Sequence, residues 1–298
     1  MTVHHAVCPA CAGTDIRENL RIRDYSVSGE VFPVWHCMNC QLKFTQDAPD
    51  SHSIVKYYQS EDYVSHTETR KGLVNRLYHA VRTHTLQQKR KLVSGQVHSS
   101  NPAILDYGCG TGAFLKVMKD AGWAATALEP DPLARQNASR LHDIQAESPD
   151  HLRSLPDASF DVITLWHVLE HVHDLQETLD HLSRVLKPNG MMYIAVPNHK
   201  SSDALHYGGS WAAWDVPRHL YHFSPDSIRV LMEKKGLMVS HTLPMWFDAF
   251  YVSLLSEKYR KSGILGYPGA FLQGMVSNLT ALSNTERCSS VIYVVKKI

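Results

Sequence analysis

A chain of 298 residues is long enough for one large core and a small satellite, because single cores stop growing near about 250–300 residues. Its 44% hydrophobic and 20% charged residues exclude a disordered chain, and its net charge of +1 excludes a global pull toward nucleic acid or an anionic membrane. No apolar run reaches the roughly 18 residues of a membrane span, and the opening MTVHHAVCPACAG has no secretion-signal pattern, so the expected location is the cytoplasm with no membrane insertion.

The first segment, residues 1–48, carries two C-x-x-C pairs, Cys8 with Cys11 and Cys37 with Cys40. Each pair aims two thiolates at one point, and two pairs close a tetrahedral shell with no open position, the pattern of a structural Zn2+ site. Pro9 and Gly13 turn the chain in CPACAG, and WHCMNCQLKF resumes an apolar strand after Cys40, so the segment resembles a zinc ribbon. Disulfides or a thioredoxin-type redox motif are the alternative, and neither a secretion signal nor a βαβ pattern supports them. A ribbon this short buries little apolar surface, so the metal is expected to supply its folding energy. His4, His5 and His36 read as surface residues.

Residues 49–98 read as an aromatic and polar connector followed by an amphipathic helix. Leu73, Val74, Leu77 and Val81 recur at helical spacing, and Arg70, Lys71, Arg76, Arg82, Lys89, Arg90 and Lys91 lie along the rest of 70–91. Such a face either binds phosphates, on RNA or on a nucleotide-linked substrate, or is simply solvated.

From Pro102 onward strands alternate with helical segments, which predicts a doubly wound, Rossmann-like α/β sheet over 99–298. The strands are AILDYGC, AATALEP, a weak one near HDIQAES, SFDVITLWHVL and GMMYIAVPN. The helices are GAFLKVMKDAGW, PLARQNASRLH and HDLQETLDHLSRVLKPNG. The turn ILDYGCGTGAFL fits two cofactor patterns, because Gly108, Gly110 and Ala113 match the dinucleotide fingerprint while Gly108, Gly110 and Gly112 match G-x-G-x-G. Asp106 discriminates between them. It places a carboxylate at the strand end, where a pyrophosphate is repelled and the ammonium of S-adenosylmethionine is attracted. Glu129, ending the second strand, suits a ribose diol in either class.

The words LDYGCGTG, ALEP, LPDASFDVITLWHVLEHV and LSRVLKPNGMMYIAVPN together resemble the class I S-adenosylmethionine-dependent methyltransferases over about residues 100–240. That resemblance implies a seven-stranded sheet. It also implies methionine-end contacts at Asp106, Gly108 and Gly110, a ribose ligand at Glu129, and an approach to adenine by Glu147 or its neighbours. Trp166 and His167 then face the methyl group or the substrate, although packing serves His167 equally well, and His171 reads as a packing or hydrogen-bonding residue. The ribbon, this core and HLYHFS together resemble the deoxysugar C-methyltransferases, with Arg218 standing where their acid stands. WDVPRHLYHFS is closer to a broad group of methyltransferases of polysaccharide and small-molecule biosynthesis.

The insertion 199–230 leaves the carboxyl end of the fifth strand and reads as the substrate wall. Asp215, Arg218, His219, Tyr221 and His222 crowd there, and Ser224-Pro225-Asp226 opens a helix. His219 is the candidate general base for an acceptor that sheds a proton, with Asp215, Tyr221 and His167 as companions. The competing reading makes Asp215, Arg218 and His219 a salt-bridged brace. LMVSHTLPMWF and CSSVIYVVKKI are the closing strands, and 247–285 between them reads as a helical cover, a homodimer surface or a contact for a lipid-like substrate. The expected function is methyl transfer to a small-molecule substrate. The alternatives are a zinc-ribbon RNA methyltransferase and a non-catalytic zinc-dependent binding module.

Overall fold

The computed structural model describes residues 1–58 and 73–298. The expected basic residues Arg70 and Lys71, and part of the connector, fall outside the described residues.

Seven strands form the central sheet: β6 (Ala103–Tyr107), β7 (Ala124–Leu128), β8 (Ala146–Glu147), β9 (Phe160–Trp166), β10 (Leu186–Pro197), β12 (Leu237–Pro244) and β13 (Ser290–Lys297). Their order is β12-β13-β10-β9-β6-β7-β8, parallel except where β13 runs antiparallel to both β10 and β12. This is the doubly wound α/β sheet predicted from the sequence, with an antiparallel closing pair. The third strand, weak in the sequence, shrinks to two residues. LKPNG ends the helix and turns the chain into the strand, as its Lys187, Pro188 and Gly190 suggest: α4 (Leu175–Val185) stops just before it and β10 begins at Leu186, with a register shift before Met191.

Successive strand residues point to opposite faces, and both faces are buried. Leu105, Ile163, Leu165, Met192 and Ile194 enter one core, while Ile104, Val162, Tyr193 and Ala195 enter the other. The second core is completed by Phe114, Leu115 and Met118 of α2 (Ala113–Asp120) and by Val93 of α1 (Leu73–Ser94). The helix α3 (Pro132–His142) opens on Asp131, whose carboxylate accepts from Leu133 N, with proline in its first turn.

The N-terminal part forms a small antiparallel sheet of β2 (Ile16–Arg23), β3 (Val31–Cys37) and β4 (Lys43–Thr45), while β1 (Thr2–Val3) pairs separately with β5 (Ala48–Pro49). A fourth strand of the small sheet comes from far downstream: β11 (Tyr221–His222) pairs with β4 through Tyr221 opposite Phe44 and His222 opposite Lys43. Cys8, Cys37, Cys40, Leu42 and Phe44 belong to the same core as Leu105 and Ile163.

Within 199–230, the short helix α5 (Ser202–Tyr207) presents Asp203, which is fully buried and accepts from Trp211 Nε1 at 2.8 Å, Ser277 Oγ at 2.8 Å and Ser289 Oγ at 2.7 Å. Three donors satisfy a carboxylate that would otherwise be costly to bury. Ser224 then caps α6 (Pro225–Glu233) in a capping box with Ser227, as its sequence predicts. The region 247–285 is helical, in α7 (Asp248–Tyr259) and α8 (Gly266–Ser283), separated by a short 3-10 turn at Gly263–Leu265. α8 carries no charged residue, and Phe271, Leu272, Leu279 and Leu282 are exposed on it. No helix among the described residues is long and apolar enough to cross a membrane.

Candidate functional site

The turn from β6 into α2 places Gly108, Gly110 and Gly112 at φ of 79°, 55° and 77°, in the left-handed region that only glycine enters freely. A Cβ at Gly108 would meet Val168 Cγ2 at 2.4 Å, whereas one at Gly110 would meet nothing within 4 Å. The first glycine therefore permits close packing on the chain after β9, and the second leaves open space beside its Cα. Gly108 N and Cys109 N both donate to Leu128 O, at 2.7 and 3.0 Å, which ties the turn to the end of β7. Glu129, just beyond, is 7% exposed and accepts from Gly110 N at 2.8 Å and Asp131 N at 2.9 Å; burial pushes its carboxyl up. Glu147 lies beside it, its carbonyl accepting from Glu129 N at 2.9 Å and its side chain exposed.

Asp106 is 2% exposed at the end of β6 and accepts from Thr164 Oγ1 at 2.5 Å. Burial raises its carboxyl to about 6, the Thr164 bond and the Lys89 charge pulling the other way. Lys89 reaches in from α1, with its ammonium 4.1 Å from the centroid of Trp166, and its charge interacts with Asp248 and Asp106; burial lowers it to about 8. A cation thus lies over an indole face, within the electrostatic reach of two carboxylates. The sequence placed Lys89 on the basic face. One signal could have corrected this: it stands three residues after Leu86 and four before Val93, on the stripe that packs against the core.

Trp166 ends β9, packs edge-on against Phe114 and has its indole N–H buried without an acceptor among the described residues. His167 follows at φ 57° and joins two acids: Nε2 is 2.9 Å from Asp248 Oδ2 and Nδ1 is 3.4 Å from Glu170 Oε1. Burial opposes its charge, but Asp248 and then Glu170 outweigh that and push the imidazole up to about 10. Glu170, 1% exposed, and His171 sit in the 3-10 turn Leu169–His171. The rings of His171 and His219 meet edge to face at 4.6 Å. Burial, with the nearby His219, lowers His171 to about 4. Neither Glu170 nor Asp248 stands out in the sequence, since one sits in an ordinary helical word and the other is a single acid within the expected helical cover.

Arg218 is 1% exposed. Its Nε and Nη2 donate to Asp215 at 3.0 and 2.7 Å, Nη2 also donates to Asp24 Oδ1 at 2.9 Å, and Nη1 donates to Tyr57 O at 2.8 Å. These bonds brace the loop against the N-terminal sheet, through an aspartate that the sequence did not single out. His219 lies 8% exposed beside the brace, its Nδ1 on Ala213 O at 2.9 Å and its Nε2 4.0 Å from Asp215 Oδ2. Thr45 Oγ1 donates to His219 O at 2.7 Å. His167, Asp215 and His219 therefore share one neighbourhood, whereas Tyr221 turns into the core and donates its hydroxyl to His173 O at 3.2 Å.

The four N-terminal cysteines carry no disulfide, and their sulfurs all lie within 4.8 Å of one another. Cys8 to Cys40 measures 3.6 Å and Cys11 to Cys37 measures 3.5 Å. A tetrahedral shell with bonds of about 2.3 Å sets its sulfurs about 3.8 Å apart, so the cluster is compatible with zinc. Ala12 and Gln41, each just after the second cysteine of its pair, both take positive φ, which gives the two turns the same shape.

The methyltransferase domain family model matches residues 78–242, more than half of the chain. The malonyl-[acyl-carrier protein] O-methyltransferase of Erwinia billingiae is 30% identical over 173 residues, 56% of this chain and 68% of that protein. The ubiquinone biosynthesis O-methyltransferase of Xanthomonas oryzae pv. oryzae is 29% identical over 141 residues, 44% of this chain and 59% of its own length. Among solved structures, a SAM dependent methyltransferase from Archaeoglobus fulgidus covers 80% of this chain and all of its own at 17% identity with a TM-score of 0.51, a likeness of fold. The chain belongs to the methyltransferase domain family and is an S-adenosylmethionine-dependent methyltransferase.

Proposed function

We propose that this methyltransferase methylates a hydroxyl of a small biosynthetic intermediate held at the carboxyl edge of the sheet, between the glycine turn and the loop that bears His219. The observation that supports the cofactor half is the buried Asp106 carboxylate at the end of β6, beside a glycine turn whose Gly110 faces open space. Asp106 and the open space at Gly110 would receive the amino-acid end, the free lone pairs of Glu129 the ribose, and the neighbourhood of Glu147 the adenine. When bound, S-adenosylmethionine supplies an activated methyl group on a good leaving group. The chain's own residues position and deprotonate the acceptor. His167, held protonated between Asp248 and Glu170, donates or orients rather than accepts a proton. His219 is the proton acceptor, and Arg218 holds its loop. The oxygen acceptor follows the relatives, both of them O-methyltransferases by name. Zn2+ on Cys8, Cys11, Cys37 and Cys40 would be structural, stiffening the sheet to which β11 pairs.

Calorimetric titration with S-adenosylmethionine and separately with NADH tests the reading. Micromolar binding of the first alone is expected, weakened at least tenfold in Asp106→Ala. Binding of NADH, or of neither compound, would overturn it.

A further inference from the structure

Glu170 poses a problem that the cofactor reading does not solve. Its carboxylate is 1% exposed, yet neither oxygen has a hydrogen-bond partner among the described residues, the nearest ionisable contact being His167 Nδ1 at 3.4 Å. His167, held protonated, meets Oε1 with a charge at 3.4 Å, but Oε2 has no donor, and a buried carboxylate oxygen left in that state is costly. Two imidazoles lie around it, and one ligand atom from each of Glu170, His171 and His219 fits within 4.8 Å of the others. Ligands on a single cation bonded at about 2.0–2.2 Å lie roughly 3–4 Å apart, so small rotations close the set.

The ring orientations carry the argument further. His171 Nδ1 lies 3.0 Å from Arg218 O, and His219 Nδ1 lies 2.9 Å from Ala213 O. A carbonyl only accepts, so each Nδ1 is the protonated nitrogen, and each Nε2 is left with a lone pair. Backbone carbonyls that fix a tautomer in this way are the usual outer shell of metal-bound histidine. We propose that Glu170, His171 and His219 bind a divalent first-row cation beside the loop that bears His219. Two imidazoles and one carboxylate favour Mn2+, Fe2+, Co2+ or Zn2+ over Mg2+ or Ca2+. Three protein ligands leave coordination positions open, as a catalytic site requires and the four-cysteine cluster does not offer.

This inference rests on the methyl-transfer reading and replaces the role of His219 within it. An acceptor hydroxyl entering an open position becomes acidic enough to lose its proton to water near neutral pH. The oxygen's electron pair then forms the new C–O bond as the methyl–sulfur bond breaks, and that bond's electrons stay on sulfur. The metal ligands also stand close to the cofactor turn, since Val168, which packs on Gly108, lies two residues before Glu170.

The test titrates Mn2+ into the zinc-loaded full chain by electron paramagnetic resonance, and then Co2+ by visible absorption, in which a nitrogen and oxygen site lacks the thiolate bands of the cysteine cluster. One tight site per chain is expected, with affinity reduced at least tenfold in Glu170→Gln and in His219→Ala. S-adenosylmethionine titrations on the same samples should stay within about threefold of the parent. Absence of a second site for either ion, or a site unchanged in both variants, would overturn the proposal. Cofactor binding without the second metal would leave His219 as the base and keep the methyl-transfer reading. A metal site without cofactor binding would overturn that reading instead.

Discussion

The glycine turn and the cluster around His219 meet at the end of β9 but are built by different means. Asp106, the three glycines and Glu129 fall within 24 residues, and their geometry follows from backbone rules: a strand end, left-handed turns and a helix start. The His219 side is assembled from segments that the chain separates widely. Arg218 reaches Asp24 across 194 positions and Tyr57 across 161, and Thr45 holds His219 O across 174. Lesions should therefore separate: damage to the N-terminal sheet should reach the acceptor side and spare the cofactor side, and the reverse should also hold.

The sharpest way to break that contrast is Arg218→Met. It strands Asp24 and Asp215, partly or fully buried, without their shared cation, and is expected to cost about 3–5 kcal/mol of stability, read as a lower unfolding midpoint in urea. S-adenosylmethionine affinity should stay within about threefold while turnover collapses. An equal loss of both would show the two sides to be one unit. Gly108→Ala is the mirror lesion. Its Cβ strikes Val168 in a backbone conformation that alanine resists, for a cost of about 2–3 kcal/mol, and calorimetry should find cofactor binding lost while the fold survives by circular dichroism.

The smallest effect concerns pH. Because burial raises Asp106 to about 6 in the folded chain, the folded state without cofactor favours its protonated form. Its contribution to stability is complete below the unfolded value near 4 and is lost as pH rises through about 6. Asp106→Asn should therefore unfold later than the parent at pH 7, by at most about 3 kcal/mol, with the gap closing as pH falls through 6. Cofactor affinity of the parent should fall together with that gap, by up to about tenfold per unit below pH 6. A gap that does not change with pH would remove Asp106 as a buried charge.

The sequence made the glycine turn legible because each element there is local. The carboxylate at a strand end, the glycines and the second acid each answer to neighbours a few residues away. The central sheet was legible too, except for its two-residue third strand and the register shift at Leu186–Met191, where no apolar period marks the boundary. The acceptor side was half legible. Its polar residues stood out as a crowd, but Asp24, Glu170 and Asp248 acquire meaning only from tertiary contacts, and a two-residue strand such as β11 has no pattern of its own to announce its partner. Lys89 shows the same limit from the other direction: a cation on an apolar stripe was readable, but its target, Trp166, lies 77 positions away.

The pairing of β11 with β4 also bears on how such a protein can be recombined. The small sheet gives one edge to two residues from the distal half of the chain, so residues 1–48 are not a cassette to be moved between enzymes. Grafted elsewhere, the segment would expose the hydrogen-bonding edge of β4, an invitation to aggregate; deleted here, it would expose β11 and release the loop that carries His219. Shuffling at this seam must carry 1–48 and the 215–224 loop together, as one heritable piece.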